Sequence, residues 1–367
     1  MRKKVLFVAE LFWPHVGGAE VLLENLCLGL SNRGIEVVVV TTKLSGYKAH
    51  EIWRGIEIHR VNCINRYGFT FLSLWKIYGL AKNTDIIHTI TFNAALPAWI
   101  IAKILNKPCH ITVLEVWGDF WRQIPGITIF HRLFEKFIMS LLFDKYIAIS
   151  EFTKAQMQKI YNIREDRIKI IYPGVDYKIF DVSKYDKKES RKNLGLSQKA
   201  FYYLYFGRPG WAKGLDYLLM AVRRISQKIP RAKLILIISK TPRGRYGNVL
   251  KLIKKLDIGG NIIFLSSMLR EELVKYIVAV DCVVVPSLSE GFGFSAAEAC
   301  ALGVPVIATR AGSLPEVISG KVVWIEPRSA DSIVEGVSLV ERGGGEVIPV
   351  KTFLWDDCIA KYADMCN

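Results

Sequence analysis

No Cys-x-x-Cys pair occurs among the seven cysteines of this chain, which stand at 27, 63, 109, 282, 300, 358 and 366. Scattered thiols, several inside apolar runs, argue against a disulfide framework or a zinc site and fit a reduced, cytoplasmic setting. Also missing is any stretch of about 18 uncharged apolar residues, so no membrane-spanning helix is expected. The most hydrophobic window, around residues 127–149, is broken by Arg132, Glu135, Lys136, Asp144 and Lys145. The start, Met1-Arg-Lys-Lys followed by a brief apolar run before Glu10, is too short for a secretory signal. No Gly-x-Gly-x-x-Gly fingerprint is present, which argues against a nicotinamide enzyme, and there is no Walker loop. Neither a fixed-period repeat nor a low-complexity tract is found, and no metal-ligand set is clustered in sequence.

Acidic residues are comparatively few: 34 Asp and Glu against 50 Lys and Arg, a net charge of +16. That balance favours anionic partners such as phosphorylated substrates or acidic lipid, without choosing among them. Nucleic acid has no recognisable binding module here and is not expected as a partner. With 367 residues, 51% of them hydrophobic, the chain suits two domains, each with its own core.

Apolar runs alternate with helical patterns throughout. Strands are expected at 4–9, 37–40, 85–88, 110–113 and 146–149, and again at 202–206, 234–238, 262–265, 282–285, 306–308 and 322–325. Such alternation predicts α/β architecture with two Rossmann-like, doubly wound parallel sheets. Pro173-Gly174 and the charged stretch 181–193 separate the two series, and Gly343-Gly-Gly345 precedes a final helical pattern over 353–365. The expected organisation is residues 1–173, residues 174–347, and a tail at 348–367. Two tandem sheets of this type imply a cleft, with ligands at the carboxyl ends of the strands.

Three loops carry the chemistry. Glu290-Gly-Phe-Gly-Phe-Ser-Ala-Ala-Glu298 follows an apolar strand and enters a helix, with Glu298 expected about two turns in. Gly291 and Gly293 leave backbone N–H groups open to a phosphate at a helix N-terminus, and a carboxylate at each end can accept from hydroxyls. That pattern suits a sugar nucleotide. Gly207-Arg208-Pro-Gly-Trp-Ala-Lys213-Gly214 follows the strand at 202–206 and sets two cations where they would stabilise a diphosphate as it leaves. Pro14-His-Val-Gly17-Gly18 follows the first strand and allows close backbone approach. The bare alternatives are a tight turn for the last of these and solvated surface charges for the others.

Together these loops resemble the retaining glycosyltransferases of family 4, with the GT-B fold. The resemblance spans nearly the whole chain. Asn32-Arg-Gly-Ile-Glu-Val37, Asp85-Ile-Ile-His88, Ile149-Ser-Glu-Phe-Thr153, Tyr172-Pro-Gly-Val-Asp176 and Ala311-Gly-Ser-Leu-Pro-Glu316 fall in family order around the three loops. The resemblance implies that Glu290 contacts the donor sugar and Glu298 the ribose. It places the backbone of Gly291, Phe292, Gly293 and Phe294 near sugar and diphosphate, and Arg208 and Lys213 on the diphosphate. It has Gly17 and Gly18 closing over the donor, and the C-terminal helix returning to the N-terminal domain. No metal and no cofactor are implied beyond the nucleotide-diphosphate sugar itself. One departure stands out: Leu114, in Thr112-Val-Leu114-Glu115, occupies the place of an expected histidine and cannot donate a hydrogen bond. Glu115, Asp119 and His88 remain as acceptor-side candidates.

The expected function is transfer of a sugar, with retention and without a metal, to a hydroxyl of a glycan, lipid-linked or small acceptor. A nucleotide-sugar epimerase or phosphorylase on the same fold is the enzymic alternative, and a degenerate, membrane-bound transferase-like partner the other. Phe130, Leu133, Phe134, Phe137 and Leu141 share one helical face beside His131, Arg132 and Lys136, and Trp75, Lys76 and Tyr78 form a second group. Packing on the protein's own sheet is the expectation for either helix alone. The positive charge raises the reading of an anionic bilayer, which would make this a cytoplasmic protein peripheral on the inner face of the membrane.

Overall fold

A computed structural model describes residues 2–15, 17–63, 66–124 and 128–366. The chain divides into two compact units, Met1–Gly174 together with Phe353–Asn367, and Val175–Thr352.

The first unit holds strands β1 (Lys4–Val8), β2 (Glu36–Thr42), β3 (His50–Trp53), β4 (Ile56–Val61), β5 (Ile86–Thr89), β6 (Cys109–Val113), β7 (Lys145–Ala148) and β8 (Ile168–Ile170). They form one sheet in the order β3-β4-β2-β1-β5-β6-β7-β8, parallel except where β3 pairs with β4. Its helices are α1 (Gly18–Asn32), α2 (Arg66–Leu72), α3 (Leu74–Ala81), α4 (Phe92–Ile104), α5 (Thr128–Ser140) and α6 (Glu151–Tyr161). Strands such as Val37-Val-Val-Val40 are buried on both faces, which is why they read as continuous apolar runs rather than alternating ones.

The second unit holds α7 (Lys187–Asn193), β9 (Phe201–Gly207), α8 (Leu215–Lys228), β10 (Ala232–Ile238), α9 (Arg243–Leu256), β11 (Ile262–Ser266) and α10 (Arg270–Ala279). It continues with β12 (Cys282–Val285), α11 (Phe294–Ala301), β13 (Val306–Thr309), α12 (Leu314–Val317), β14 (Gly320–Ile325), α13 (Ala330–Glu341) and β15 (Glu346–Ile348). Strand order is β11-β10-β9-β12-β13-β14-β15, parallel but for the β14–β15 pair. The order reverses between β9 and β12, the switch point at whose carboxyl ends such sheets bind their ligands.

The chain then supplies α14 (Trp355–Asp364) to the first unit, where it packs on α1. Gly29 of α1 makes the contact close: a Cβ there would stand 2.2 Å from Ile359 Cδ1. Buried Tyr362 hydrogen-bonds Thr112 of β6 through their hydroxyls at 2.9 Å. Among the described residues no helix is long and apolar enough to cross a membrane.

The strands expected from the sequence all appear. Four further ones do not show in the apolar runs: the β3–β4 hairpin and the three-residue β8 and β15. The face expected to pack α5 on the sheet is divided. Leu141, just beyond the helix, is buried and Phe134 half-buried, whereas Phe130, Leu133 and Phe137 are exposed.

Candidate active site

The loops after β9 and β12 meet at the point where the strand order reverses. Gly214 ends the first loop with φ +64°, and a Cβ on it would lie 1.8 Å from the Pro286 carbonyl oxygen of the second. Leu288 N–H donates to the Ala212 carbonyl at 2.6 Å, joining the loops again. Arg245 of α9 supports the first loop. It donates to the Pro209 carbonyl and to Asp216, and its guanidinium stacks 3.8 Å from the Trp211 ring centre.

Glu290 sits on the second loop, 5% exposed. Lys213 Nζ donates to its Oε2 at 2.7 Å and Ser287 Oγ to its Oε1 at 2.9 Å. The predicted sugar-binding carboxylate and the predicted diphosphate-binding cation are therefore one ion pair. A third loop, after β13, clamps the backbone beneath: Ser313 N–H donates to the Glu290 carbonyl at 3.0 Å, and Ser313 Oγ donates to it at 3.2 Å. Arg208 is half-buried on the first loop, its carbonyl 3.4 Å from the donating Tyr205 hydroxyl.

Both helices that start here, α8 and α11, begin after a glycine in the left-handed region, Gly214 and Gly293, and neither has a side-chain cap. Their first N–H groups are suited to an anion. Phe292 and Phe294 flank Gly293, rings edge to face at 5.0 Å. Gly291 is buried beside them.

Glu298 lies closer to its helix start than expected. It is the fifth residue of α11, so little more than one turn in. It is 4% exposed and ion-paired with Arg270 at 2.8 Å. Burial pushes its carboxyl up to about 7, against the pull of Arg270.

The remaining predicted residues lie in the first unit. Gly17 is extended and Gly18 opens α1, where His15 Nδ1 meets buried Glu20 Oε1 at 3.2 Å. His88 is enclosed in the sheet, 2.8 Å from Thr112 Oγ1, and burial, helped by His110, holds its imidazole well below the usual range. Through Thr112 it belongs to the packing that seats Tyr362. Glu115 and Leu114 are half-buried beyond β6. Asp119 is exposed and paired with Arg132 at 2.8 Å. The three acceptor-side candidates thus occupy three different settings. A cavity of about 410 Å³ lined by His110, Lys145, Arg167 and Asp364 contains none of the predicted residues.

Ser287, Arg270, Gly312 and Ser313 were not singled out as site residues. Ser287 is local to the Glu290 loop; Gly312 and Ser313 reach it from the loop after β13, and Arg270 reaches Glu298 from α10. One grouping able to hold a metal occurs among the described residues, His50, Glu57 and His59 on the β3–β4 hairpin. It arises because His50 and His59 stand opposite each other across the strand pair.

Two family models match. "Glycosyltransferase Family 4" covers residues 16–178 and "Glycosyl transferases group 1" residues 186–346. An uncharacterized glycosyltransferase of Methanocaldococcus jannaschii is 27% identical over 91% of this chain and 88% of that one. A D-inositol 3-phosphate glycosyltransferase of Mycobacterium sp. (strain KMS) is 33% identical over 48% of this chain; the match spans only 39% of that protein. Among solved structures, sucrose-phosphate synthase of Thermosynechococcus elongatus superposes with a TM-score of 0.82 at 21% identity, covering 99% of this chain and 98% of that one. HepE of Anabaena, solved with UDP-glucose, gives 0.74 at 20% identity over 99% and 94%. At these identities the structural likeness shows the fold.

Proposed function

The chain belongs to the group 1, family 4 glycosyltransferases, with two Rossmann-like units of the GT-B type, and from that premise we propose how it works. It moves a sugar from a nucleotide-diphosphate donor to a hydroxyl acceptor, retaining anomeric configuration and using no metal. The observation that carries the reading is the Lys213–Glu290 pair set beside the uncapped starts of α8 and α11. Lys213, Arg208 and the two helix N-termini are suited to hold the diphosphate and stabilise its charge as it leaves. Glu290 is suited to accept from sugar hydroxyls, and Glu298, with Arg270 behind it, from the ribose. The backbone of Gly291, Phe292, Gly293 and Phe294 lies between these groups. Gly17 and Gly18, at the start of α1, are further donor-binding candidates. An acceptor contact by Glu115, Asp119 or His88 belongs to the same reading. With positioning and charge stabilisation as the protein's contribution, the leaving diphosphate assists attack on its own face of the sugar.

HepE's complex with UDP-glucose supports a nucleotide sugar as the donor class. The test is a panel of UDP-, GDP- and ADP-sugars read first by thermal shift, where the true donor raises the melting temperature with concentration. Transfer and product anomer are then followed by NMR with glycan, lipid-linked and small-molecule acceptors. Donor turnover without acceptor would point to an epimerase instead, and a need for inorganic phosphate to a phosphorylase. Wild-type transfer by both Glu290→Ala and Arg208→Ala would refute the site.

A further inference from the structure

Helices α2, α3 and α5 of the first unit all pack on α4, an almost wholly apolar helix. Having buried one face there, each still sends large apolar side chains outward. Trp75 is 84% exposed, Phe71 68% and Phe130 66%, and Leu72, Leu133 and Phe137 are exposed with them. The three helices adjoin: Tyr67 Oη and His131 Nε2 lie 3.0 Å apart and tie α2 to α5, and α2 packs on α3. A water-facing helix ordinarily carries polar residues at such positions, and an apolar patch of this kind marks an interaction site.

The charge on the same helices decides the partner. Neither α2 nor α3 contains an acidic residue. Glu135 is the one acid of α5 and is turned inward, where the N–H groups of Trp117 and Gly118, Trp121 Nε1 and the Tyr161 hydroxyl all donate to it. Cations are left on the outside: Lys76 beside Trp75, and Lys136 beside Phe137. Asp119 at the margin is neutralised by Arg132. A protein partner of ordinary mixed charge would not call for this one-sided arrangement. A sheet of acidic headgroups over hydrocarbon would.

We propose that the outward face of α2, α3 and α5 docks on an anionic lipid bilayer. The aromatic and aliphatic side chains enter the boundary between headgroups and acyl chains, and Lys76 and Lys136 meet lipid phosphates. Because the helices are too short and too amphipathic to span, they lie in the interface plane. The net charge of +16 attracts the whole chain to the same surface. This inference stands on the first unit alone and does not need the transferase reading.

The test is flotation of the full chain with vesicles of phosphatidylcholine alone or with about one-third phosphatidylglycerol, a fraction that gives a strongly negative surface potential. Binding is expected to the acidic vesicles and to fall as salt is raised. Trp75→Ala/Phe130→Ala/Leu133→Ala should weaken it roughly tenfold or more. Lys76→Glu/Lys136→Glu should weaken it by a similar factor on acidic vesicles only. Leu269→Ala/Val347→Ala, at exposed apolar positions of the second unit, should leave it unchanged. Circular dichroism and melting temperature, unchanged by these surface substitutions, verify folding. Equal binding to both vesicle types, or undiminished binding of the triple variant, would overturn the proposal. So would a self-association that the triple variant abolishes while vesicle binding stays intact, since the face would then serve a second copy of the chain.

Discussion

The α-carbon of Gly312 lies against the backbone of Glu290 so closely that a Cβ there would stand 2.1 Å from the Glu290 carbonyl oxygen and 2.6 Å from its nitrogen. Gly312 also has φ +61°, a region an L side chain enters only with strain. The obstructing atoms are backbone, so the Glu290 loop itself would have to move. Gly312→Ala is therefore expected to lower kcat/KM for transfer at least about 100-fold, since displacing a reacting group by about 1 Å has that effect. The melting temperature should fall as well, because the overlap is with backbone and the positive φ adds strain. Near-wild-type transfer would show that the loop tolerates displacement.

Lys213→Ala strips the buried Glu290 carboxylate of its cation. Breaking a buried ion pair from one side costs about 3–5 kcal/mol, and the Ser287 bond that remains to Glu290 offsets part of that. Losing charge stabilisation of the leaving diphosphate should reduce kcat by about 100- to 1000-fold. Lys213→Arg keeps the charge and should recover part of both. Unfolding curves with steady-state kinetics on the same preparations separate the two effects.

On the proposed reading, in which Glu298 accepts from the ribose, donor binding depends on pH. Its carboxyl in the folded protein is raised to about 7 by burial, so it is largely protonated at pH 5.5 and ionised at pH 8. Ribose hydroxyls donate to the ionised form. Nucleotide-sugar affinity should therefore tighten as pH rises towards 7 and level off above it, by at most about tenfold per unit. The sign for stability is opposite: protonation favours the fold, so this contribution is present near pH 4 and lost as pH rises through about 7. Isothermal titration calorimetry with an intact nucleotide sugar, whose diphosphate has no titration in this range, tests the first part. Glu298→Gln should flatten the profile, and a slope that survives would exclude Glu298 as its source.

Gly29→Ala should force the side chain of Ile359 on α14 to move and destabilise the protein by about 1–3 kcal/mol. Adding Ile359→Ala should return part of that loss, because the truncated side chain makes room. Urea denaturation of the two single variants and the double variant measures the coupling. Additive effects would mean that α1 and α14 accommodate the methyl group elsewhere.

The parallel strands were legible because helices cover both their faces, which makes runs such as Val37–Val40 apolar without a break. The β3–β4 hairpin was not. Its turn is Arg54-Gly55, with φ 48° and 83°, a geometry more often announced by Asn-Gly. Strands β8 and β15 span three residues each and carry no periodicity to read. Within the candidate site, Lys213 and Glu290 were legible because each sits in the loop of a strand–loop–helix motif contained in a short run of consecutive residues. Arg270 and Gly312 were not, since what brings them to Glu298 and Glu290 is the packing of α10 and of the β13–α12 loop. The outward aromatic face of α5 was seen as a stripe, but periodicity alone cannot say which side of a stripe meets water.

Placing residues 353–366 in the first unit also bears on biosynthesis. A ribosome completes the core of Val175–Thr352 before it has made Ile359 and Tyr362, with which the first unit covers α1 and reaches Thr112. The part of the protein whose synthesis begins first is thus the last to be finished. Until then it must leave the ground for α14 uncovered, as a surface that chaperones or neighbouring nascent chains can reach.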